Sequence, residues 1–249
     1  MISKLKHGSV IAMVASLLTA GSVFGQGISF STVALTGDAA PGTGAGVVYS
    51  DFARGSSVLN GAGQTAFVAG LIGPGVDSTN DFGIWSEGGG SLGLVARDGD
   101  AAPGTGAGVV YSGFGGPLFN GAGQTAFFGG LTGPGVIFEN NLGIWSEGGG
   151  SLGLVARDGD PAPDTAPGVV YGGVPGVASG LGGTNGEFGF NSAGQTAFYG
   201  ELIGPGVDGT NDVGIWSEGS GSLGLVARTG DPAPGTGAGV VFASIRISR

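Results

Sequence analysis

Two loops of this chain, Asp77-Ser78-Thr79-Asn80-Asp81 and Asp208-Gly209-Thr210-Asn211-Asp212, collect oxygen-bearing side chains of the kind Ca²⁺ prefers. Asp77, Asn80, Asp81, Asp208, Asn211 and Asp212 are therefore candidate metal ligands. Their spacing is not that of an EF-hand, and the corresponding Ile137-Phe138-Glu139-Asn140-Asn141 lacks the first Asp. A solvated turn uses the same residue types. Arg97-Asp98-Gly99-Asp100 and Arg157-Asp158-Gly159-Asp160 offer a second acidic pattern. Their carboxylates either share a cation or belong to turns whose Arg97, Arg157 and Arg228 pair with Glu87, Glu147 and Glu218. Trp85, Trp145 and Trp216 are candidates for stacking on carbohydrate, or else packing residues with a locally satisfied N–H. GTGAG recurs at 42–46, 104–108 and 235–239 but lacks the Lys-Ser/Thr and the helix of a phosphate loop, and reads as a turn.

Catalysis has few residues to draw on. The only two lysines and the only histidine lie within the first seven residues, and there is no cysteine. A serine nucleophile would lack an activating base. What remains is a carboxylate pair of the kind used in glycoside hydrolysis, for which Glu87, Glu147 and Glu218 are the obvious members. Each occurs once per repeat, whereas a catalytic site breaks symmetry, so the expectation is that the chain is not an enzyme.

The elements that position these residues are repeated. Asn60, Asn120 and Asn191 begin NGAGQTAF, NGAGQTAF and NSAGQTAF; Trp85, Trp145 and Trp216 sit in GIWSEG; Arg97, Arg157 and Arg228 close LGLVAR. Every series steps by 60 and then 71, so the extra 11 residues form an insertion between Tyr171 and Asn191. Four strands are expected per unit. In the second they are Val109 to Tyr111, continuing irregularly towards Phe119, then Thr125 to Leu131, Leu142 to Glu147 and Leu152 to Arg157. No stretch after the N-terminal segment has sustained helical periodicity. The fold class is thus all-β, built of tandem four-stranded antiparallel units. A β-propeller-like arrangement, incomplete or open, fits best; a solenoid or a row of small sandwiches uses similar units. The chain opens with Val33-Ala34-Leu35-Thr36-Gly37-Asp38, matching the end of a unit, and closes with a segment matching the start of one. Either these fragments pair with one another, or the chain is a truncated member of a longer architecture, or self-association completes the set.

Lys4, Lys6 and His7 precede an apolar run from Val10 to Ala20, and Val23 and Gly25 suit a signal peptidase. The run is shorter than the roughly 20 residues of a membrane span. Residues 1–25 are therefore expected to be a signal peptide and 26–249 the tandem β-repeat domain, which has no membrane span of its own. The remaining cations are six arginines against 18 acidic residues, a formal charge of −12. Such a surface is unsuited to nucleic acid and is repelled by anionic membranes. Sixty glycines accompany 41 % hydrophobic residues with aromatics at fixed spacing, which argues for a packed core.

The octets at Asn60, Asn120 and Asn191 follow N-x-x-G-x-x-A-F. With GIWSEG and LVARxGDxAP they make residues 33 to 249 resemble the bacterial exported proteins called choice-of-anchor tandem repeat proteins of the NxxGxxAF type. The resemblance implies export and supplies no activity or catalytic residue. Members typically end in a sorting or anchoring segment; Ile245-Arg246-Ile247-Ser248-Arg249 is not an apolar helix, which leaves release, or a truncated gene product, as the expectation. The motif also has a physical reading: Asn and Gly form a turn, after which Ala and Phe enter a strand on opposite faces. The expectation is a secreted or cell-surface β-repeat protein with a structural or interaction role and no obligatory cofactor. Its partner would be an extracellular protein or glycan, with a Ca²⁺-stabilised or sugar-binding module as the alternative.

Overall fold

The computed structural model describes residues 10–11, 31–173 and 188–245; most of the signal segment and the insertion at 174–187 lie outside them. Two short strands, β1 (Val10–Ile11) and β2 (Ala34–Leu35), pair antiparallel ahead of the first unit. That unit contains β3 (Val48–Phe52), β4 (Val58–Leu59), β5 (Thr65–Ile72), β6 (Phe82–Ser86) and β7 (Gly93–Arg97). The second contains β8 (Val110–Phe114), β9 (Leu118–Phe119), β10 (Thr125–Thr132), β11 (Leu142–Ser146) and β12 (Gly153–Arg157). The third contains β13 (Val170–Gly173), β14 (Phe188–Phe190), β15 (Thr196–Ile203), β16 (Val213–Ser217) and β17 (Gly224–Arg228).

Each unit is one antiparallel meander, and the three sheets share a single topology. In the first, β3 and β4 lie end to end along one edge of β5, followed by β6 and β7. The expected first strand is thus one strand broken in two. The register on β5 shifts between Tyr49 and Asp51, and such a bulge bends the edge. The sheets do not close on one another, so the architecture is all-β and propeller-like but open.

Alternation along β5 explains how the sheets stack. Phe67 stands opposite Trp85, and Tyr49 opposite Leu71, on one face; Val68 stands opposite Ile84, and Ile84 opposite Ala96, on the other. The second face packs on the first face of the next unit. Val68, Ile84 and Ala96 share a core with Tyr111, Phe127, Leu131 and Trp145. Phe128, Ile144 and Ala156 share one with Tyr171, Phe198, Leu202 and Trp216. Because both faces of a middle sheet are covered, seven of the eight residues of β10 are buried or half-buried. A fully buried Ile, Leu or Phe contributes about 1.5–3 kcal/mol, so these shared cores dominate the packing.

The connection between units is itself paired. After β7 the chain turns at Asp98-Gly99-Asp100; Gly99 N–H donates to Tyr111 O, and Tyr111 N–H to Asp100 O. The same bonds link Gly230 and Asp231 to Phe242 after the third unit. At the other end, Ala34 faces Ile11 as Ala96 faces Ile84.

The hydroxyls of Tyr49, Tyr111 and Tyr171 are buried without a hydrogen-bond partner among the described residues. Burial, reinforced by Asp38, Asp100 and Asp160 respectively, raises all three far above an ordinary tyrosine. Phe242 occupies the corresponding place after the third unit. Tyr111→Phe is therefore expected to raise stability by about 1 kcal/mol, since it removes an unsatisfied buried hydroxyl. A chemical-denaturation midpoint that falls instead would show that the hydroxyl is bonded.

Candidate functional site

The repeated polar residues converge at one end of each sheet. Asn60 Oδ1 accepts from Ala62 N–H and Gln64 N–H, both at 3.0 Å, and so builds the turn that starts β5. Gly63 is at φ 79°, the left-handed conformation that the spacing of the octet calls for. Gln64 Nε2 then donates to Glu87 O at 3.0 Å, while Glu87 Oε2 accepts from Thr65 N–H at 2.9 Å and from its hydroxyl at 2.7 Å. Glu147 with Thr125 and Glu218 with Thr196 repeat this lock. The carboxylates considered for acid–base chemistry thus fasten the second strand of a sheet to the third.

Asn60 also reaches beyond its own unit. Its Nδ2 donates to Gln64 Oε1 at 2.8 Å and to Asn120 O, in the next unit, at 3.0 Å. Asn120 Nδ2 reaches Asn191 O at 2.9 Å. The asparagines therefore form a ladder from sheet to sheet, a role that the turn reading of the motif missed. The only signal available was the retention of Asn, where Asp would serve the turn equally well. Asn120→Asp keeps the Oδ1 acceptor but loses the donor, and is expected to cost about 2 kcal/mol. Asn191→Asp is expected to cost less, because Asn191 Nδ2 donates to Gln195 Oε1 alone among the described residues. Equal losses in urea titrations of the two variants would contradict the ladder.

The tryptophans do not present a stacking surface. Trp85, Trp145 and Trp216 are each 0 % exposed. Their Nε1–H groups donate to Pro41 O, Pro103 O and Pro163 O at 2.9, 3.0 and 3.1 Å. The carbohydrate expectation is corrected: Phe67, Phe127 and Phe198 stack on the rings, and Tyr49, Tyr111 and Tyr171 pack nearly perpendicular to them. Those proline carbonyls open the loops that include GTGAG at 42–46 and 104–108, so the loops close the core.

The acidic loops direct their oxygens inward on their own backbone. Asp77 Oδ1 accepts from Thr79 N–H at 2.9 Å and from its hydroxyl at 2.6 Å, bonds that hold its pKa below the usual value. Asn80 Oδ1 accepts from Asp77 N–H, and Asp208, Thr210 and Asn211 repeat the pattern. Asp81 and Asp212 contribute backbone carbonyls to Leu71 N–H and Leu202 N–H. Among the described residues no three His, Cys, Asp or Glu side chains are grouped to hold a metal ion. Asp77, Asn80, Asp208 and Asn211, named above as Ca²⁺ candidates, thus form turns through their side chains.

The arginine pairing is also corrected. Arg97 lies opposite Gly83 and Gly93 opposite Ser86, so an antiparallel hairpin puts Arg97 and Glu87 at opposite ends. Arg97 Nε instead donates to Asn80 O at 2.7 Å, and Arg157 Nε to Asn140 O at 2.7 Å. Beside this contact Asp98 is buried, and its Oδ1 has no hydrogen-bond partner among the described residues. Burial, with Asp81 adding repulsion, pushes its pKa up to about 6 despite the opposing pull of the Gly113 amide and Arg97.

The neutral form of Asp98 is thus favoured by the fold. The contribution of Asp98 should be present below about pH 4 and be lost as pH rises through about 6, because the native state holds this proton more tightly than the unfolded chain. Thr229 fills the same position in the third unit, where its hydroxyl accepts from Val213 N–H and donates to Val213 O. Asp98→Thr is expected to reduce that slope, to which Asp100 and Asp160, also raised by burial, contribute with the same sign, and to stabilise at pH 7 by on the order of 1 kcal/mol, allowing for solvent screening. Melting curves between pH 4 and 7 check the sign.

A family model described as a family of unknown function (DUF7453) matches residues 30–185 and again 175–248. The chain belongs to this family. Its model matches twice in tandem, with the junction inside the insertion that separates the two regular spacings. Neither a curated protein nor a solved structure matches the chain.

Proposed function

We propose that this chain is an exported, non-enzymatic β-repeat protein with a structural or interaction role at or beyond the cell surface. The observation that carries the reading is the use of the recurrent polar residues: Asn60, Gln64, Thr65 and Glu87 bond one another, and Asn60 bonds the next unit. Side chains that could serve a ligand or a substrate are spent on architecture in every repeat. The basic start followed by an apolar run supports export, as does the resemblance to choice-of-anchor repeat proteins. Among the described residues no helix is long and apolar enough to cross a membrane.

Expression in a bacterial host followed by fractionation and N-terminal sequencing tests the reading. The expected product lies outside the cytoplasm and begins near Gln26; an uncleaved cytoplasmic protein would overturn it. Added Ca²⁺ is expected to leave the unfolding temperature unchanged, since Asp77 Oδ1, Asn80 Oδ1, Asp208 Oδ1 and Asn211 Oδ1 already accept bonds within their own turns.

A further inference from the structure

We propose that the hairpin-loop end of the three sheets docks a basic partner protein, with Ile137 and Phe138 as the apolar anchor. The proposal deepens the interaction role and rests on that reading. The polar network of Asn60, Gln64 and Glu87 closes the opposite end of the first sheet, and its equivalents close the other two. Because the asparagines stack from unit to unit and the sheets share one topology, the connections 73–81, 133–141 and 204–212 emerge together at the far end. Nine large hydrophobic side chains are exposed among the described residues. Five of them, Ile72, Phe82, Ile137, Phe138 and Ile203, lie in these connections or directly beside them, so exposed apolar surface gathers at this end.

The middle loop breaks the repeat. Ile137 and Phe138 stand where the first loop has Asp77 and Ser78 and the third has Asp208 and Gly209. The turn does not require the exchange. Asn140 Oδ1 accepts from Ile137 N–H at 2.8 Å and its Nδ2 donates to Gly135 O at 3.1 Å, and Asn80 and Asn211 make the same bonds in the outer loops. Phe138 is 81 % exposed and Ile137 59 %, and neither belongs to any of the three cores. An apolar pair held out in water on a bonded turn has the form of an interface anchor, in which a few large side chains fill a recess of the partner. The charges around the pair select that partner. Asp77, Asp81, Glu139, Asp208 and Asp212 lie on the same three loops. Arg97, Arg157 and Arg228 reach the loops from their own strands, and each spends its Nε on a loop carbonyl. A second copy would set like charge against like charge, and an anionic lipid surface would be repelled in the same way. A basic protein with an apolar recess matches both the charge and the anchor.

Isothermal titration calorimetry of the purified protein with two synthetic peptides of equal length and charge, one of lysine and leucine and one of lysine and serine, tests this. The lysine–leucine peptide is expected to bind at least about tenfold more tightly. Ile137→Asp combined with Phe138→Ser gives the middle loop the first two residues of the first loop, so the turn is kept while the surface becomes more acidic. That variant should bind the lysine–leucine peptide at least about tenfold more weakly, the reverse of what charge alone would give. Asp77→Asn combined with Asp208→Asn should weaken both peptides and lessen the effect of added salt. A wild type that does not bind the lysine–leucine peptide overturns the proposal, as does one that binds it no better than the lysine–serine peptide or no better than the loop variant does. Sedimentation with phosphatidylcholine vesicles, or self-association, that the loop variant abolishes would also overturn it, because the anchor would then serve lipid or a second copy. Export is read separately by fractionation, so failure of one reading does not entail failure of the other.

Discussion

Trp145→Ala is expected to cost about 3–5 kcal/mol, enough to leave a domain of ordinary stability largely unfolded near 37 °C. The ring lies with Phe127 stacked at 6.3 Å and 18° and Tyr111 edge-on at 5.0 Å and 74°. It belongs to the core shared by the first and second units. Removing it opens a cavity between two sheets and leaves Pro103 O without its donor. Trp145→Phe should lose less, since the aromatic filling is retained and only the N–H and part of the volume go. Urea titration followed by far-UV dichroism distinguishes the two. A Trp145→Ala variant as stable as the wild type would mean that the ring is not buried.

Gly148→Ala is expected to be among the most damaging single-methyl changes at the described residues, at about 3 kcal/mol or more, with Gly88→Ala its equivalent at the preceding junction. The added Cβ would fall inside the van der Waals shell of Gly194 O, a backbone atom of the following turn. Neither side can yield locally, because the Gly194 turn is held by Asn191 Oδ1 and the Gly148 turn follows the Glu147 lock. The units must separate at that end, which also stretches the Asn120 to Asn191 contact. Gly149→Ala is the control: nothing lies within 4 Å of its Cβ position, and the expected change is within about 0.5 kcal/mol. Similar effects from the two substitutions would show that the sheets do not approach there.

Local patterning made the strands legible. Thr125 to Leu131 and Leu142 to Glu147 were readable from alternation and bounding glycines, and β10 and β11 fall there within one residue at each end. The broken first strand was foreshadowed by the irregular stretch after Tyr111, because Ser112, Gly113 and Gly115 interrupt the apolar pattern. What the sequence did not disclose is pairwise. Glu87 precedes Arg97 by ten residues, which suggests a contact, yet hairpin register separates them and gives Glu87 to Thr65. Trp85 carries no mark that distinguishes a sugar platform from a core ring; only the Pro41 carbonyl, 44 residues earlier, decides it. The same holds for Asn60, whose two roles lie in one side chain: Oδ1 serves its own turn, and Nδ2 reaches a carbonyl 60 residues away. Repetition supplied the positions, but only the stacking of sheets assigned their partners.

The units form one body, with hydrophobic cores shared between successive sheets. Differential scanning calorimetry of the purified protein tests it most directly. Shared cores predict one transition whose calorimetric enthalpy equals the van't Hoff enthalpy, shifted as a whole to lower temperature by Gly148→Ala. Separate transitions, with only one of them moved by that substitution, would instead describe independent sheets joined by linkers and contradict the account.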